Sequence, residues 1–179
     1  MCSSDLYFVL FFAGGMLGYI PIFYVFIPFI LPIFCGVPFM LFLTKVKRFG
    51  MVTIMGTVLG SLMVLTGHTY IPLITGIVFG LSADLIFKAG KYKSKKISVL
   101  GYGVFSMWLL GMLVPFWIMR DSFEKTILNS MGTEYTYAVL NLFDKVSWTF
   151  PILAFVGGII GAVFGFKMLK KHFVKAGIA

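Results

Sequence analysis

The charges in this sequence are sorted along its length. Twelve of the fifteen Lys and Arg residues fall in three short stretches, 45–48, 88–96 and 167–175, and long uncharged runs separate them. The remaining three, Arg120, Lys125 and Lys145, share one segment with four of the six acids, Asp121, Glu124, Glu134 and Asp144. Polytopic membrane proteins keep their Lys/Arg excess in cytoplasmic loops. The pattern therefore predicts an all-α integral membrane protein with six transmembrane helices over 6–19, 22–44, 49–66, 70–87, 97–119 and 148–169. Both termini then lie in the cytoplasm, and 120–147 forms an outer segment.

Composition agrees with that class. The chain is 60% hydrophobic and 12% charged, against about 45–50% and about 25% in soluble domains. A soluble fold would need a polar surface that these residues do not supply. The expectation is one transmembrane domain over 1–179, multi-pass in a bacterial plasma membrane. A net charge of +9 carries no nucleic-acid reading here, because the basic residues flank spans, where they set topology and attract anionic lipids. Cys2 and Cys35 have no disulfide or metal spacing. The first apolar run starts after Asp5 without a basic region, which argues against a cleaved signal peptide, and 1–5 reads as a non-native beginning.

Pro28, Pro32 and Pro38 are expected to kink or break the second span, because proline removes a helix donor and crowds the preceding turn. Gly14/Gly18, Gly56/Gly60, Gly76/Gly80 and Gly157/Gly161/Gly165 repeat at the four-residue spacing that lets helix backbones approach closely in lipid. Most of these read as intramolecular contacts, and the first-span pair is the better docking candidate. Asp84 and Lys88 read as an i,i+4 pair. No charge falls at the middle of a span, so no proton or ion relay has a visible carrier. The outer segment is mildly amphipathic and is either a cap over the outer face or a helix on the lipid surface. Trp117 and Trp148 bracket it where an aromatic belt places them.

Catalytic motifs are absent: there is no HExxH, Walker-type loop, GxSxG or paired His/Asp set. The chain is expected not to be an enzyme and to need no cofactor. Polar residues on the outer rim are what remain. His68 is either an interfacial hydrogen-bonding residue or a ligand contact, including an axial ligand if the ligand is a haem, and Tyr70, at the end of the same turn, is a further candidate substrate contact. Arg120 and Asp121 are either topological markers or a pair whose Arg clamps a carboxylate. Glu134, Tyr135 and Tyr137 complete a possible lid, with Trp117 beside it. A mostly apolar pocket with a few convergent polar groups is the usual form of a small-molecule site.

The Leu65-Thr66-Gly67-His68 turn, the Gly90-Lys91-Tyr92-Lys93-Ser94-Lys95-Lys96 loop and the tail from Lys170 to Gly177 resemble the Trep_Strep group, MptD-type S components of energy-coupling factor (ECF) transporters. The resemblance covers nearly the whole chain from Leu6. It implies an S-component bundle that captures a vitamin-like micronutrient at the outer face. The implied partners are a transmembrane T component and two cytoplasmic ABC ATPases that supply the energy. It also implies docking through small residues of the first helix, here Ala13, Gly14 and Gly18. A tetrapyrrole such as haem is one alternative substrate. A membrane-embedded lipid or isoprenoid enzyme and a structural assembly partner are readings of other classes.

Overall fold

The computed structural model describes residues 3–173, and within them every regular element is a helix. The start of the sequence at 1–2 and the tail residues 174–177 used in the resemblance lie outside the described residues. The elements are α1 (Ser3–Gly15), a 3-10 turn (Met16–Tyr19), α2 (Pro21–Lys45), α3 (Met51–Leu65), α4 (Ile71–Ala89), α5 (Lys95–Ser106), a 3-10 stretch (Met107–Met112), α6 (Val114–Ile118), α7 (Arg120–Met131), α8 (Thr133–Val146) and α9 (Phe150–Met168). Proline occupies the first or second position of α2, α4, α6 and α9, where its missing N–H costs nothing and its fixed φ suits a helix start.

By length and composition, three described helical runs suffice to cross a bilayer: Pro21–Lys45, Ile71–Ala89 and Thr133–Lys171. Asp5–Tyr19 and Met51–Leu65 are apolar but shorter.

Glycine decides how these helices meet. A Cβ added to Gly80 would lie 2.9 Å from the Thr53 Cα, and one on Gly60 would lie 2.5 Å from the Leu73 Cα. Gly56 and Gly76 abut each other's backbone carbonyls in the same way. The paired motifs of α3 and α4 are thus two halves of one contact. Gly157, Gly161 and Gly165 of α9 press on the α2 backbone at Phe29, Pro32 and Gly36; a Cβ on Gly165 would lie 2.6 Å from the Gly36 carbonyl oxygen. These pairs are intramolecular, as the spacing suggested.

Helix α2 runs from Pro21 to Lys45 as one helix despite Pro28, Pro32 and Pro38, contrary to the expected break. The reason is its central position. Residues from Leu31 to Leu43 are largely buried, so neighbouring chain rather than lipid surrounds most of this stretch, where breaks in helix bonding are tolerated. Tyr102 Oη adds a hydrogen bond to the Pro32 carbonyl at 2.8 Å. Phe39, at the heart of this region, packs on Tyr102 and Phe105 with ring centroids 4.4 and 4.9 Å apart.

The fifth expected span is the one that breaks. It divides into α5, the 3-10 stretch and α6. Gly111 lies against Pro72 and Thr75 of α4, and Thr75 Oγ1 donates to the Trp108 carbonyl at 2.9 Å. A donor from another helix thus takes a carbonyl of the tightened segment, and Pro115 restarts the helix with no N–H to place.

Asp84 does not pair with Lys88. It is fully buried in α4 and accepts from the Thr53 N–H at 2.8 Å, from Thr53 Oγ1 at 2.6 Å and from the Val52 N–H at 3.4 Å. These amides belong to the first turn of α3, where orphan donors and the helix dipole favour an anion. Lys88 instead lies over the Phe49 ring, 5.1 Å from its centroid. The Asp84→Ala variant is expected to lose about 1–3 kcal/mol, the cost of leaving buried donors unsatisfied. Asp84→Asn, which keeps one acceptor, should lose less, and Lys88→Ala should leave the cap intact. Thermal unfolding in detergent followed by circular dichroism measures this; a wild-type midpoint for Asp84→Ala would contradict the cap.

Candidate functional site

The outer segment folds down onto the bundle. Gly132, at φ 84°, joins α7 and α8 into a helical hairpin, a backbone geometry that only glycine adopts without strain. Phe123 and Ile127 of α7 and Val139, Leu140 and Phe143 of α8 form a second apolar core with Val25, Phe116 and Phe150. Phe143 stands 5.1 Å from Phe116 and 4.9 Å from Phe150 between ring centroids. Of the two forms expected for this segment, the geometry is that of a cap.

Beneath and beside the cap lie two adjoining cavities, of about 320 and 230 Å³. They meet at Tyr24, Thr66, His68, Met112 and Met131, which line both. The larger runs along Phe11, Phe12, Met16 and Leu31, between α1, α2 and the α3–α4 turn. The smaller faces the cap and is lined by Ser122, Thr126, Ser130 and Tyr135. Those three hydroxyl residues recur every fourth position of α7, so they share one face. Thr126 and Ser130 each donate back to the carbonyl four residues earlier, at 2.8 Å, which leaves their oxygens as acceptors. Among the described residues, no Lys, Arg, Asp or Glu lines either cavity.

His68 sits at the junction. Thr66 Oγ1 lies 3.3 Å from its Nδ1. The ring is exposed at the cleft mouth, yet the apolar wall behind it pushes its pKa below the ordinary 6.5, with a weaker opposing contribution from the Met63 backbone. The imidazole is therefore neutral at pH 7, with one nitrogen able to donate and the other to accept.

Tyr135 is the second expected residue that reaches the cleft. Its hydroxyl donates to the Gly18 carbonyl, and its ring meets Tyr24 edge-on at 6.5 Å. The bond ties the cap to the corner between α1 and α2.

The other expected contacts lie elsewhere. Arg120 forms a two-armed pair with Asp144, at 2.7 and 2.8 Å, rather than with Asp121. The pair is half exposed, with the guanidinium over the Phe116 ring; it fastens α7 to α8 instead of presenting a free clamp. Asp121, Glu134, Tyr70 and Tyr137 are exposed and outside both cavities. Trp117 packs on Trp148 and Phe150, away from the cleft. Gly14 and Gly18 face Leu31, Tyr24 and Ile27 of α2, which occupies the surface expected to dock a partner, while Ala13 is exposed.

The residues missed by sequence reasoning were Tyr24, Met63 and Met112, each hidden in an apolar run, and Met131, a lone apolar residue in a polar stretch. The Ser122-Thr126-Ser130 ladder carried a readable signal, its four-residue spacing. Among the described residues, no group of three or more His, Cys, Asp or Glu side chains is placed to hold a metal.

The sequence profile of a family described as hypothetical bacterial integral membrane protein, Trep_Strep, matches residues 4–175. No curated protein and no solved structure matches the chain.

The neutral state of His68 can be read directly. With the folded pKa depressed, His68 leaves stability undiminished above pH 6.5 and reduces it as the pH falls from there toward the folded value, because only the unfolded chain then takes up the proton. Histidine-selective labelling and NMR titration should place the His68 midpoint below 6.5; a midpoint at or above it would contradict the apolar wall.

Proposed function

This chain belongs to the Trep_Strep family of bacterial integral membrane proteins, and we propose that it is the substrate-capture subunit of an ECF-type importer. In this reading it crosses the plasma membrane six times with both termini in the cytoplasm. It collects a small micronutrient at the outer face and is not itself an enzyme. Energy comes from partners, a transmembrane T component and two ABC ATPases.

One observation carries the reading: an uncharged, mainly apolar cleft under a helical cap, at the end of the molecule opposite the basic loops. Such a cleft favours an uncharged, largely apolar molecule. Its polar handles are the His68 imidazole, the Tyr24 hydroxyl and the acceptors of the α7 ladder. An anionic vitamin held by Arg120 loses support, since that guanidinium already has Asp144. A tetrapyrrole substrate keeps one supporting observation, a neutral imidazole on the wall shared by both cavities. An enzyme acting on lipids or isoprenoids draws little support from the cleft: the Thr66 hydroxyl lies 3.3 Å from His68 Nδ1 but donates its proton to the Met63 carbonyl at 2.9 Å.

Affinity purification from the native host in mild detergent is the test. The expected result is recovery of a T component and two ATPases, with a retained uncharged small molecule visible by mass spectrometry. Recovery of neither ATPases nor a T component would overturn the transporter reading. A Soret band on haem addition that is lost in His68→Ala would select the tetrapyrrole branch.

A further inference from the structure

A third cavity, about 330 Å³, opens at the other end of the bundle. Thr44 lies 17 residues beyond Ile27 on α2, which places this cavity about 25 Å from the outer cleft at 1.5 Å per residue. Its floor is apolar, made by Met40, Leu43 and Phe166 from α2 and α9. Its rim is cationic, made by Lys47, Lys93 and Lys95. All three lysines are exposed, and none of their ammonium groups makes a hydrogen bond or ion pair among the described residues. Among the described residues, no acid lines the cavity. The nearby Asp84 already serves the first turn of α3.

Topology alone explains lysines on this side, but it does not explain three further features. The Tyr92 hydroxyl, on the cavity wall, is closed off from solvent and has no hydrogen-bond partner. Ser98, one turn into α5, and Thr44, whose hydroxyl donates to the Leu41 carbonyl, add two further hydroxyl oxygens to the wall. The amides of Lys95 and Lys96 are the first of α5, where helix geometry leaves donors without internal acceptors. Donors and positive charge therefore surround a space whose base is greasy. Phosphate oxygens suit the rim and acyl chain suits the floor. Basic pockets between membrane helices on the cytoplasmic side take anionic headgroups in this way.

We propose that this pocket, between the inner ends of α2, α5 and α9, binds the phosphate headgroup of an anionic phospholipid in the leaflet on the basic side. The claim is separate from the importer reading and from the outer cleft. A bound lipid would bridge the α2–α3 loop, through Lys47, to the α4–α5 loop, through Lys93, and to the start of α5, through Lys95.

The test uses the full chain in detergent micelles, with native mass spectrometry and binding titrations. Phosphatidylglycerol, phosphatidylcholine and inorganic phosphate are the probes. The variants are Lys47→Gln/Lys93→Gln/Lys95→Gln, a charge-matched control Lys167→Gln/Lys170→Gln/Lys171→Gln, and Tyr92→Phe. Phosphatidylglycerol should bind the wild type and the control alike. It should bind the pocket triple about a hundredfold more weakly, roughly fivefold for each lysine, with an unchanged unfolding midpoint. Tyr92→Phe should weaken binding by a smaller factor, on the order of that for one neutral hydrogen bond. Competition by millimolar inorganic phosphate, with phosphatidylcholine inert, would assign the site to the phosphate group; if phosphate alone binds as tightly as the lipid, the source is free phosphate and the lipid assignment fails. Equal losses in the pocket triple and the control would reduce the effect to diffuse charge and overturn the site. Wild-type lipid binding by the pocket triple, with loss of a co-purifying protein instead, would overturn it in favour of a protein surface.

Discussion

Close approach of helix backbones is the constraint from which the rest of this fold follows. In lipid, apolar burial gives helices no reason to associate, so contact depends on packing and on hydrogen bonds across the interface. Two glycine contacts supply the packing, α3 on α4 and α9 on α2. Polar groups also reach between neighbouring elements. Asp84 reaches the α3 amides, Tyr102 reaches the Pro32 carbonyl and Thr75 reaches the Trp108 carbonyl. Widening the α3–α4 contact by one methyl group would stretch the Asp84 hydrogen bonds that cross it.

The cleft is a consequence of the same constraint. Gly111 draws the 3-10 stretch Met107–Met112 onto α4, which breaks the fifth apolar run and sets Met112 on the wall between the two cavities. The helical hairpin then closes over the opening. It is held by its own aromatic core, by Arg120 with Asp144 and by the Tyr135 hydroxyl on the Gly18 carbonyl. That aromatic core is continuous with the base through Val25 of α2 and Phe150 of α9.

Much of this was written in the order of residues, and some of it was not. Charge segregation and the length of the apolar runs indicated a helical membrane protein, and the four-residue glycine repeats indicated where backbones touch. His68 stood out because an imidazole between two apolar runs is unusual, and Tyr135 because it lies on an amphipathic segment. The other site residues were hidden for physical reasons. Tyr24 and Met112 look like any residue of an apolar run. The partner of Arg120 is 24 positions away across the hairpin, whereas its neighbour Asp121 points elsewhere because adjacent helical residues do not face each other. Asp84 was misread for the same reason: its true partners are 31 and 32 positions back, and only the glycine contact brings them close.

The central claim is that the molecule has two faces, an apolar cleft under the cap and a basic rim about 25 Å away along α2, on opposite sides of the membrane. Substituted-cysteine labelling measures this most directly. In a Cys2→Ser/Cys35→Ala background, a membrane-impermeant maleimide should label Thr133→Cys at the hairpin tip in intact cells. It should label Lys93→Cys on the basic rim only after permeabilisation. Labelling of both positions from the same side would contradict the account.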